Sequence, residues 1–227
     1  MFTQSRSIVL LTRAKTQSER FANGFCADNA EFIIAPLMQI ERINADFPPH
    51  DGDFVLTSEN AVMTLPDIYH GTGRRAYCVG KRTALAAGTV GFDAVSADGN
   101  AHDLHDLIVK THKNKNLLHL SGEHLANDTL TDIPGLQRIV TYKQTALPAD
   151  PKVQKLLSGE APVIVPLFSP RSARLFFSAY PEITAPIHVV AISAATAETV
   201  ANRAATKIGI AARPDADNMK KMVADLI

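Results

Sequence analysis

Residues 53–62 have the sequence DFVLTSENAV, in which an apolar run ends at two hydroxyl residues and a helix-favouring segment follows. Residues 167–173, LFSPRSA, repeat this arrangement, with Leu167 and Ser169 in the places of Leu56 and Ser58. A second pair of segments, VGKRTA at 79–84 and ISAATA at 192–197, recurs at nearly the same separation. The recurring unit is too long for a solenoid repeat, so the sequence predicts a duplicated domain.

The rest of the chain alternates short apolar runs with longer amphipathic stretches. Several runs are apolar throughout, which is typical of parallel strands that are covered on both faces. This alternation of β and α elements indicates an α/β protein with parallel sheets. The predicted strands are residues 7–11, 31–35, 53–57, 76–79, 93–96, 116–120, 138–142, 162–168, 187–192 and 209–212.

Helix starts are marked by polar residues that can bond to free backbone N–H groups. The pair Ser169-Pro170 places a capping hydroxyl directly before a proline at the first helical position. Residues 16–19, TQSE, have the pattern of a capping box. The other predicted caps are Asn100, before a helix over 101–110, and Asp217, before a helix over 218–227.

The composition narrows the range of partners. The chain has 23 basic and 23 acidic side chains and a formal charge of zero. Proteins that grip a nucleic-acid backbone usually carry a basic excess, so we expect no nucleic-acid partner. Its two cysteines, Cys26 and Cys78, form no CxxC pair, which favours the reducing cytoplasm over a disulfide framework. The apolar run 8–11 is too short for a signal segment or a membrane span, so we expect a cytoplasmic protein without membrane contact.

In each predicted half, hydroxyl or glycine residues stand where a strand ends and a helix begins. Parallel sheets bind ligands at this carboxyl edge, and helix N-termini offer N–H groups that suit carboxylates or phosphates. Helix capping is the commoner role for any one such residue, and their repetition at equivalent points is what favours binding. The candidate binding residues are Thr12, Arg13, Ser58, Lys81, Thr83, Ser121, Gly122, Ser169, Ser193 and Thr196.

Taken in order, these segments resemble the uroporphyrinogen-III synthases, and the resemblance covers essentially the whole chain. The sequence departs from the family pattern at three places. Ser193 stands where glycine is common, Phe168 stands where threonine is expected, and Leu125 and Ala126 follow Gly122 where a basic residue is frequent. The matching segments are LTR at 11–13, IAPL at 34–37, DFVLTS at 53–58, VGKRTA at 79–84, VTYKQT at 140–145, FSP at 168–170, and Thr196-Ala197 followed by Gly209.

The resemblance implies two flavodoxin-like (Rossmann-like) α/β domains with parallel sheets and an active-site cleft between them. Residues 1–36 and 147–227 are expected to form the first, discontinuous domain, and residues 37–146 the second. A two-stranded antiparallel connector is expected near residues 37–43 and 139–145. The family site needs no second subunit, so the implied state is a monomer.

The resemblance also implies a cyclising lyase of tetrapyrrole (heme) biosynthesis that acts on hydroxymethylbilane, a linear tetrapyrrole with carboxylate arms. Loss of water from its hydroxymethyl group gives an azafulvene, and attack from the substituted carbon of the last ring inverts that ring through a spiro intermediate. Pyrrole nitrogens supply the electrons, so no cofactor and no metal is expected. The resemblance assigns proton transfer to Tyr142, although packing on the connector would also explain this residue. A transient contact with the preceding pathway enzyme is also expected.

Two other functions fit parts of the pattern. A non-catalytic, two-domain cytoplasmic protein that binds an anionic small molecule would share the polar cleft. A dinucleotide-dependent oxidoreductase is disfavoured, because the G-x-G-x-x-A motif at 71–76 precedes a predicted strand instead of following one. The spacing of His102 and His105 suits a metal ion but describes a polar helix face equally well.

Overall fold

The computed structural model describes residues 6–25, 30–44, 47–70, 73–113, 116–125, 128–203 and 205–227. Cys26 and residues 71–72 of the glycine-rich motif lie outside these ranges. The chain divides into two compact units, Met1–Gln39 with Ala146–Ile227 and Ile40–Thr145. It therefore leaves the first unit after Gln39 and returns to it after Thr145.

The helices and strands alternate along most of the chain. In chain order they are β1 (Ser7–Leu11), α1 (Lys15–Ala22), β2 (Ala30–Ile34), β3 (Met38–Arg42), β4 (Asp53–Leu56), α2 (Glu59–Met63), a 3₁₀ helix (Asp67–Tyr69), β5 (Arg75–Cys78), α3 (Lys81–Thr89), β6 (Asp93–Ser96), α4 (Ala101–Thr111), β7 (Leu117–Gly122), β8 (Leu136–Ala146), α5 (Pro151–Leu157), β9 (Val163–Leu167), α6 (Pro170–Ala179), β10 (Ile187–Ala191), α7 (Ala194–Val200), β11 (Ala205–Ile210) and α8 (Ala216–Ala224).

The first unit is built around a five-stranded sheet in the order β2-β1-β9-β10-β11, and each neighbouring pair is parallel. Counted within the unit, this is the 2-1-3-4-5 order of flavodoxin-like folds. Successive side chains of β9 enter two different cores, with Val163 and Val165 packed near Phe176 of α6 and Ile164 packed near Met219 of α8. Helices on both faces thus explain why this strand is apolar throughout.

The second unit is built around a sheet in the order β3-β8-β7-β4-β5-β6, in which the strands from β8 to β6 are parallel to their neighbours. Strand β3 lies beside β8 at the end of this sheet. The N–H of Ile43 donates to the carbonyl of Thr141, and the N–H of Leu147 donates to the carbonyl of Leu37. These two bonds show that the β3 and β8 segments run in opposite directions.

The two sheets share one strand order when β7 and β8 are matched with β1 and β2, and β4, β5 and β6 with β9, β10 and β11. The repeated segments fall at matching places, since Ser58 and Ser169 each begin the helix that follows a matched strand. Among the matched strands, the first along the chain is β1 in the first unit but β4, the counterpart of β9, in the second. The two units are therefore circular permutations of one α/β arrangement, in agreement with the predicted duplication.

Two of the predicted helix caps are confirmed and two are wrong. Ser169 and Asn100 each cap their helix through a reciprocal capping box. The box predicted at residues 16–19 fails because α1 begins earlier, at Lys15, after Ala14. Asp215 caps α8 instead of Asp217, since its extended backbone lets the carboxylate accept from the Asn218 N–H at 2.8 Å.

Candidate active site

The parallel strands of the second unit end at one edge of its sheet, so the residues that follow them lie along that edge. Strand β4 leads to the start of α2, strand β5 leads to the start of α3, and strand β7 ends at Gly122, beside Tyr142 of the longer strand β8. The candidate residues that this edge brings together are Ser58, Lys81, Thr83, Ser121, Gly122 and Tyr142.

The position of Tyr142 depends on an irregularity in β8. Ser121 of β7 pairs with Val140, but the next residue, Gly122, pairs with Tyr142, so Thr141 is an extra residue in β8. A bulge of one residue reverses the side-chain alternation of the strand beyond it. Tyr142 therefore joins the core that contains Leu118 and Leu120, on the side of the sheet to which Gly122 also belongs.

The ring of Tyr142 lies across the place where a side chain at position 122 would be. A Cβ atom built on Gly122 would lie 2.7 Å from Cε2 and Cζ of Tyr142 and 2.9 Å from its hydroxyl oxygen. Tyr142 is 6% exposed, and its hydroxyl has no hydrogen-bond partner among the described residues. Glycine at position 122 thus lets a largely buried phenol reach the carboxyl edge with its O–H group uncommitted.

Strand β8 also supplies a cation that the sequence analysis did not select. Nε of Arg138 donates to the hydroxyl of Ser121 at 2.8 Å, and Nη2 donates to the carbonyls of Gly122 at 2.7 Å and Glu123 at 2.9 Å. Arg138 is the first residue of the predicted strand 138–142, and apolar residues follow it. A charged residue beside an apolar run was the sequence signal that could have identified it.

A buried histidine lies below this edge and was also missed. His119 of β7 is 3% exposed, and its Nε2 lies 3.0 Å from the hydroxyl of Thr57, directly before Ser58. Burial, together with the positive charge of Arg138, lowers the pKa of His119 to about 4. The ring is therefore neutral at neutral pH and can form a neutral hydrogen bond with Thr57. A polar residue inside the run NLLHL at 116–120 was the sequence signal for it.

Two of the other candidates of this edge, Ser58 and Lys81, have structural partners. The hydroxyl of Ser58 caps α2 by accepting from the Asn60 N–H at 3.1 Å. Lys81 is 83% exposed and forms an ion pair with Asp98 at 3.2 Å. Thr83 lies in the first turn of α3 and is 5% exposed. Helix capping thus accounts for part of the role of Ser58, and surface pairing for part of that of Lys81.

The first unit presents a second set of candidates at its own carboxyl edge. Ser169 caps α6, and Ser193 caps α7 by accepting from the Thr196 N–H at 3.4 Å. The hydroxyls of Ser193 and Thr196 lie 3.1 Å apart. The structure places these three residues, with Thr12 and Arg13, after strands β9, β10 and β1 of one sheet.

Thr12 and Arg13 differ in their surroundings. Thr12 is 1% exposed, and its hydroxyl oxygen is buried with no hydrogen-bond partner among the described residues. The guanidinium of Arg13 lies 4.1 Å from the centre of the Phe168 ring, an arrangement that stabilises a cation. Phe168, where the family pattern has threonine, thus holds Arg13 at the end of β1.

The histidines that raised the question of a metal ion lie on α4. His105 contacts Asp106 at 3.4 Å and Asp132 at 3.3 Å at the surface, and the described residues contain no group of three or more side chains arranged to hold a metal ion. Across the described ranges, no helix has both the length and the apolar character that a membrane crossing requires.

The sequence model of the family described as uroporphyrinogen-III synthase HemD matches residues 19–221. No curated protein sequence matches the chain. The crystal structure of uroporphyrinogen-III synthetase from Helicobacter pylori 26695 is similar with a TM-score of 0.70 and 16% identity, over 98% of this chain and 100% of that one. A mutant uroporphyrinogen III synthase from the extremely thermophilic bacterium Thermus thermophilus is similar with a TM-score of 0.51 and 13% identity, over 97% and 98%. At these identities, the likeness to the two structures shows the fold alone.

Two parallel α/β units with a permuted strand order, and with polar groups at their carboxyl edges, define a class of two-domain α/β proteins. The family match spans most of the chain, and the chain belongs to the uroporphyrinogen-III synthase family. It is accordingly a cyclising lyase of tetrapyrrole biosynthesis. The predicted family, α/β fold class and activity are confirmed, and a ligand-binding protein without catalysis is not favoured.

Proposed function

We propose that Tyr142 is the acid that promotes loss of water from hydroxymethylbilane, and that the carboxyl edge of each sheet binds the carboxylate arms of this substrate. The phenol proton passes to the hydroxymethyl oxygen while the C–O bond breaks, and the pyrrole nitrogen supplies the electron pair that forms the azafulvene. The last ring then attacks through its substituted carbon and forms a spiro intermediate, in which that carbon carries no hydrogen. The bond from this carbon to its original methylene neighbour breaks and gives a second azafulvene. That methylene carbon then bonds to the free alpha-carbon of the inverted ring, which loses its proton. The proton released when the product rings regain aromaticity restores the phenol.

The observation that carries this proposal is the ring of Tyr142 lying over Gly122 with an uncommitted hydroxyl. A phenol whose ring is fixed by packing can donate a proton in one direction, and proton transfer by a positioned side chain commonly contributes about 100-fold or more to a rate. A phenol is a weak acid at neutral pH, so its contribution is partial. The rest of the acceleration comes from holding the flexible tetrapyrrole in a reactive conformation.

The hydroxyl and N–H groups at the helix starts are proposed to receive the carboxylate arms. Ser58 and Lys81 in the second unit, and Ser169 and Thr196 in the first, offer such groups at the ends of parallel strands. Backbone N–H groups and helix dipoles attract carboxylates without an excess of basic residues. This agrees with the formal charge of zero on the chain.

The test is the substitution Tyr142→Phe, assayed with freshly generated hydroxymethylbilane. We expect kcat to fall about 10- to 100-fold, because the proton donor is removed, while Tm stays nearly unchanged, because the hydroxyl has no partner among the described residues. Tyr180→Phe is the matched control. Its hydroxyl accepts from the Asp150 N–H at 3.2 Å in the first unit, so its loss should lower Tm and leave kcat unchanged. A folded Tyr142→Phe protein with wild-type kcat would remove the assignment.

The proposal also covers the cellular location and the oligomeric state of the protein. We expect a cytoplasmic protein, because its two cysteines form no CxxC pair, and a monomer, because the family site calls for no second subunit. A transient contact with the enzyme that supplies hydroxymethylbilane would limit its spontaneous closure. Sedimentation equilibrium at micromolar concentration should give the 24.5 kDa of one chain, whereas twice that mass would contradict a monomer.

A further inference from the structure

We propose that Arg138 is a positioning residue for Tyr142, because its guanidinium fixes the end of β7 in the register that places Gly122 against the tyrosine ring. This inference rests on the role proposed for Tyr142 and adds to it the group that holds the ring in place. Arg138 itself is assigned no contact with the substrate.

The bulge in β8 creates the need for such a group. The register shift after Ser121 interrupts the regular ladder of main-chain hydrogen bonds between β7 and β8. Carbonyl groups at an interrupted ladder require donors from elsewhere. Side chains of β8 provide them, since Thr141 Oγ1 lies 3.5 Å from the carbonyl of Ser121 and Arg138 Nη2 donates to the next two carbonyls.

The guanidinium is well suited to this task. It donates to three consecutive residues, through Nε to Ser121 Oγ and through Nη2 to the carbonyls of Gly122 and Glu123, at 2.7 to 2.9 Å. The fixed planar fork of arginine sets the directions of several hydrogen bonds at once, and its charge strengthens each of them. A lysine ammonium can replace only part of this set.

The same three residues determine where Gly122 lies relative to Tyr142. The Glu123 N–H donates to the carbonyl of Tyr142 at 3.0 Å, and the Gly122 backbone packs against the ring. A shift of the β7 end would therefore either open a gap beside the ring or push against it. Arg138 acts on Tyr142 through this strand end.

The kinetic test compares Arg138→Met and Arg138→Lys with Arg75→Met as the matched control. Arg75 is a half-exposed strand arginine at the start of β5, paired with Asp93 at 2.7 Å. We expect kcat to fall about 10-fold in Arg138→Met, a loss equivalent to about 1.4 kcal/mol, and less in Arg138→Lys, with KM within about 2-fold of wild type in both. Arg75→Met should keep both constants. A raised KM with unchanged kcat would overturn the proposal, because it would make Arg138 a substrate-binding residue.

A second measurement follows the ring without using activity. The chain has four tyrosines, so 3-fluorotyrosine labelling gives four ¹⁹F resonances, and Tyr142→Phe assigns one of them. In Arg138→Met the Tyr142 resonance should shift or broaden while that of Tyr180, in the first unit, stays in place. An unmoved Tyr142 resonance would overturn the proposal.

The two measurements separate this inference from the role of Tyr142. If Tyr142→Phe is fully active but the Tyr142 resonance moves in Arg138→Met, the catalytic role of the phenol fails and the positioning role stands. If Arg138→Met does not fold, Arg138→Lys carries the same test. An unmoved resonance and wild-type kcat in the folded lysine variant would then overturn the proposal.

Discussion

Gly122 is the residue whose size decides the position of the proposed acid. Its backbone conformation is open to any residue, so the requirement for glycine comes from the 2.7 Å approach of the Tyr142 ring and not from backbone strain. Real Cβ atoms do not approach other heavy atoms this closely. Any side chain at this position must therefore move the ring.

We expect Gly122→Ala to lower kcat about 10-fold by displacing Tyr142, since misplacement of a reacting group by about 1 Å can cost even more. Steady-state rates with hydroxymethylbilane would measure this. Gly88→Ala is the control, because a Cβ at this exposed position of α3 meets no atom within 4 Å. Equal rates for Gly122→Ala and Gly88→Ala would show that the close approach has no role in turnover.

His119 gives the protein a pH dependence of stability. The folded protein lowers the pKa of this ring to about 4, whereas an unfolded chain binds the proton below about pH 6.5. Its contribution to the free energy of unfolding is therefore fully present above about pH 6.5 and is lost as the pH falls toward about 4. Between about pH 7.5 and about pH 5 we expect it to remove roughly 2 kcal/mol.

Urea unfolding at these two pH values would measure this loss. His119→Gln should remove most of it, because glutamine does not titrate. His102→Gln, at an exposed position on α4, should keep the wild-type dependence. The same pH dependence in wild type and His119→Gln would rule out His119 as its source.

At single residues, sequence reasoning selected Tyr142 and Gly122 but gave no sign that they touch. Their contact depends on strand register, which one sequence does not encode locally. Arg138 and His119 were missed for a related reason. A charged or polar residue in an apolar run indicates a polar partner, and the partner (Ser121 or Thr57) is known only once the strands are paired.

Among the elements, β8 contains a bulge that positions part of the site and that the hydrophobic periodicity of the sequence does not predict. The sequence of Leu136–Ala146 contains no glycine or proline to mark the bulge at Thr141. The extra residue is held from outside the strand, by the Thr64 hydroxyl at 3.4 Å and by the carbonyl of Ser121 at 3.5 Å. Strands and the caps at Ser169 and Asn100 follow local rules and were predictable, whereas this bulge depends on tertiary contacts.

The helix start at Ser169 allows capping and substrate binding to be separated. Aspartate caps a helix as well as serine does, so Ser169→Asp should leave the free energy of unfolding within about 0.5 kcal/mol of wild type. It also places a negative charge at the edge proposed to bind carboxylates. We expect KM to rise about 5-fold, since two charges at contact distance in water interact by about 1 kcal/mol.

Ser158→Asp is the matched control for charge. Ser158 is exposed and ends α5 just before β9, so it lies near the opposite end of that strand. The same added charge there should leave KM unchanged. If KM rises equally in both variants, the effect is one of net charge. If it rises in neither, Ser169 is a helix cap alone.

At the scale of the whole molecule, the duplication is the most predictable feature. Similar strand-to-helix segments at 56–62 and 167–173 indicated two related α/β units, and the two sheets share one strand order. The circular permutation was not visible in periodicity. It follows from the point at which the chain leaves the first unit, after Gln39, and the resemblance to a known family was needed to expect such a crossing.

As a uroporphyrinogen-III synthase, this chain is expected to bind hydroxymethylbilane and to close it with the last ring inverted. The most direct measurement supplies freshly generated hydroxymethylbilane to the purified protein, oxidises the products to porphyrins and separates the type I and type III isomers. We expect predominantly type III uroporphyrin. Type I alone, in the amount formed without protein, would contradict this expectation.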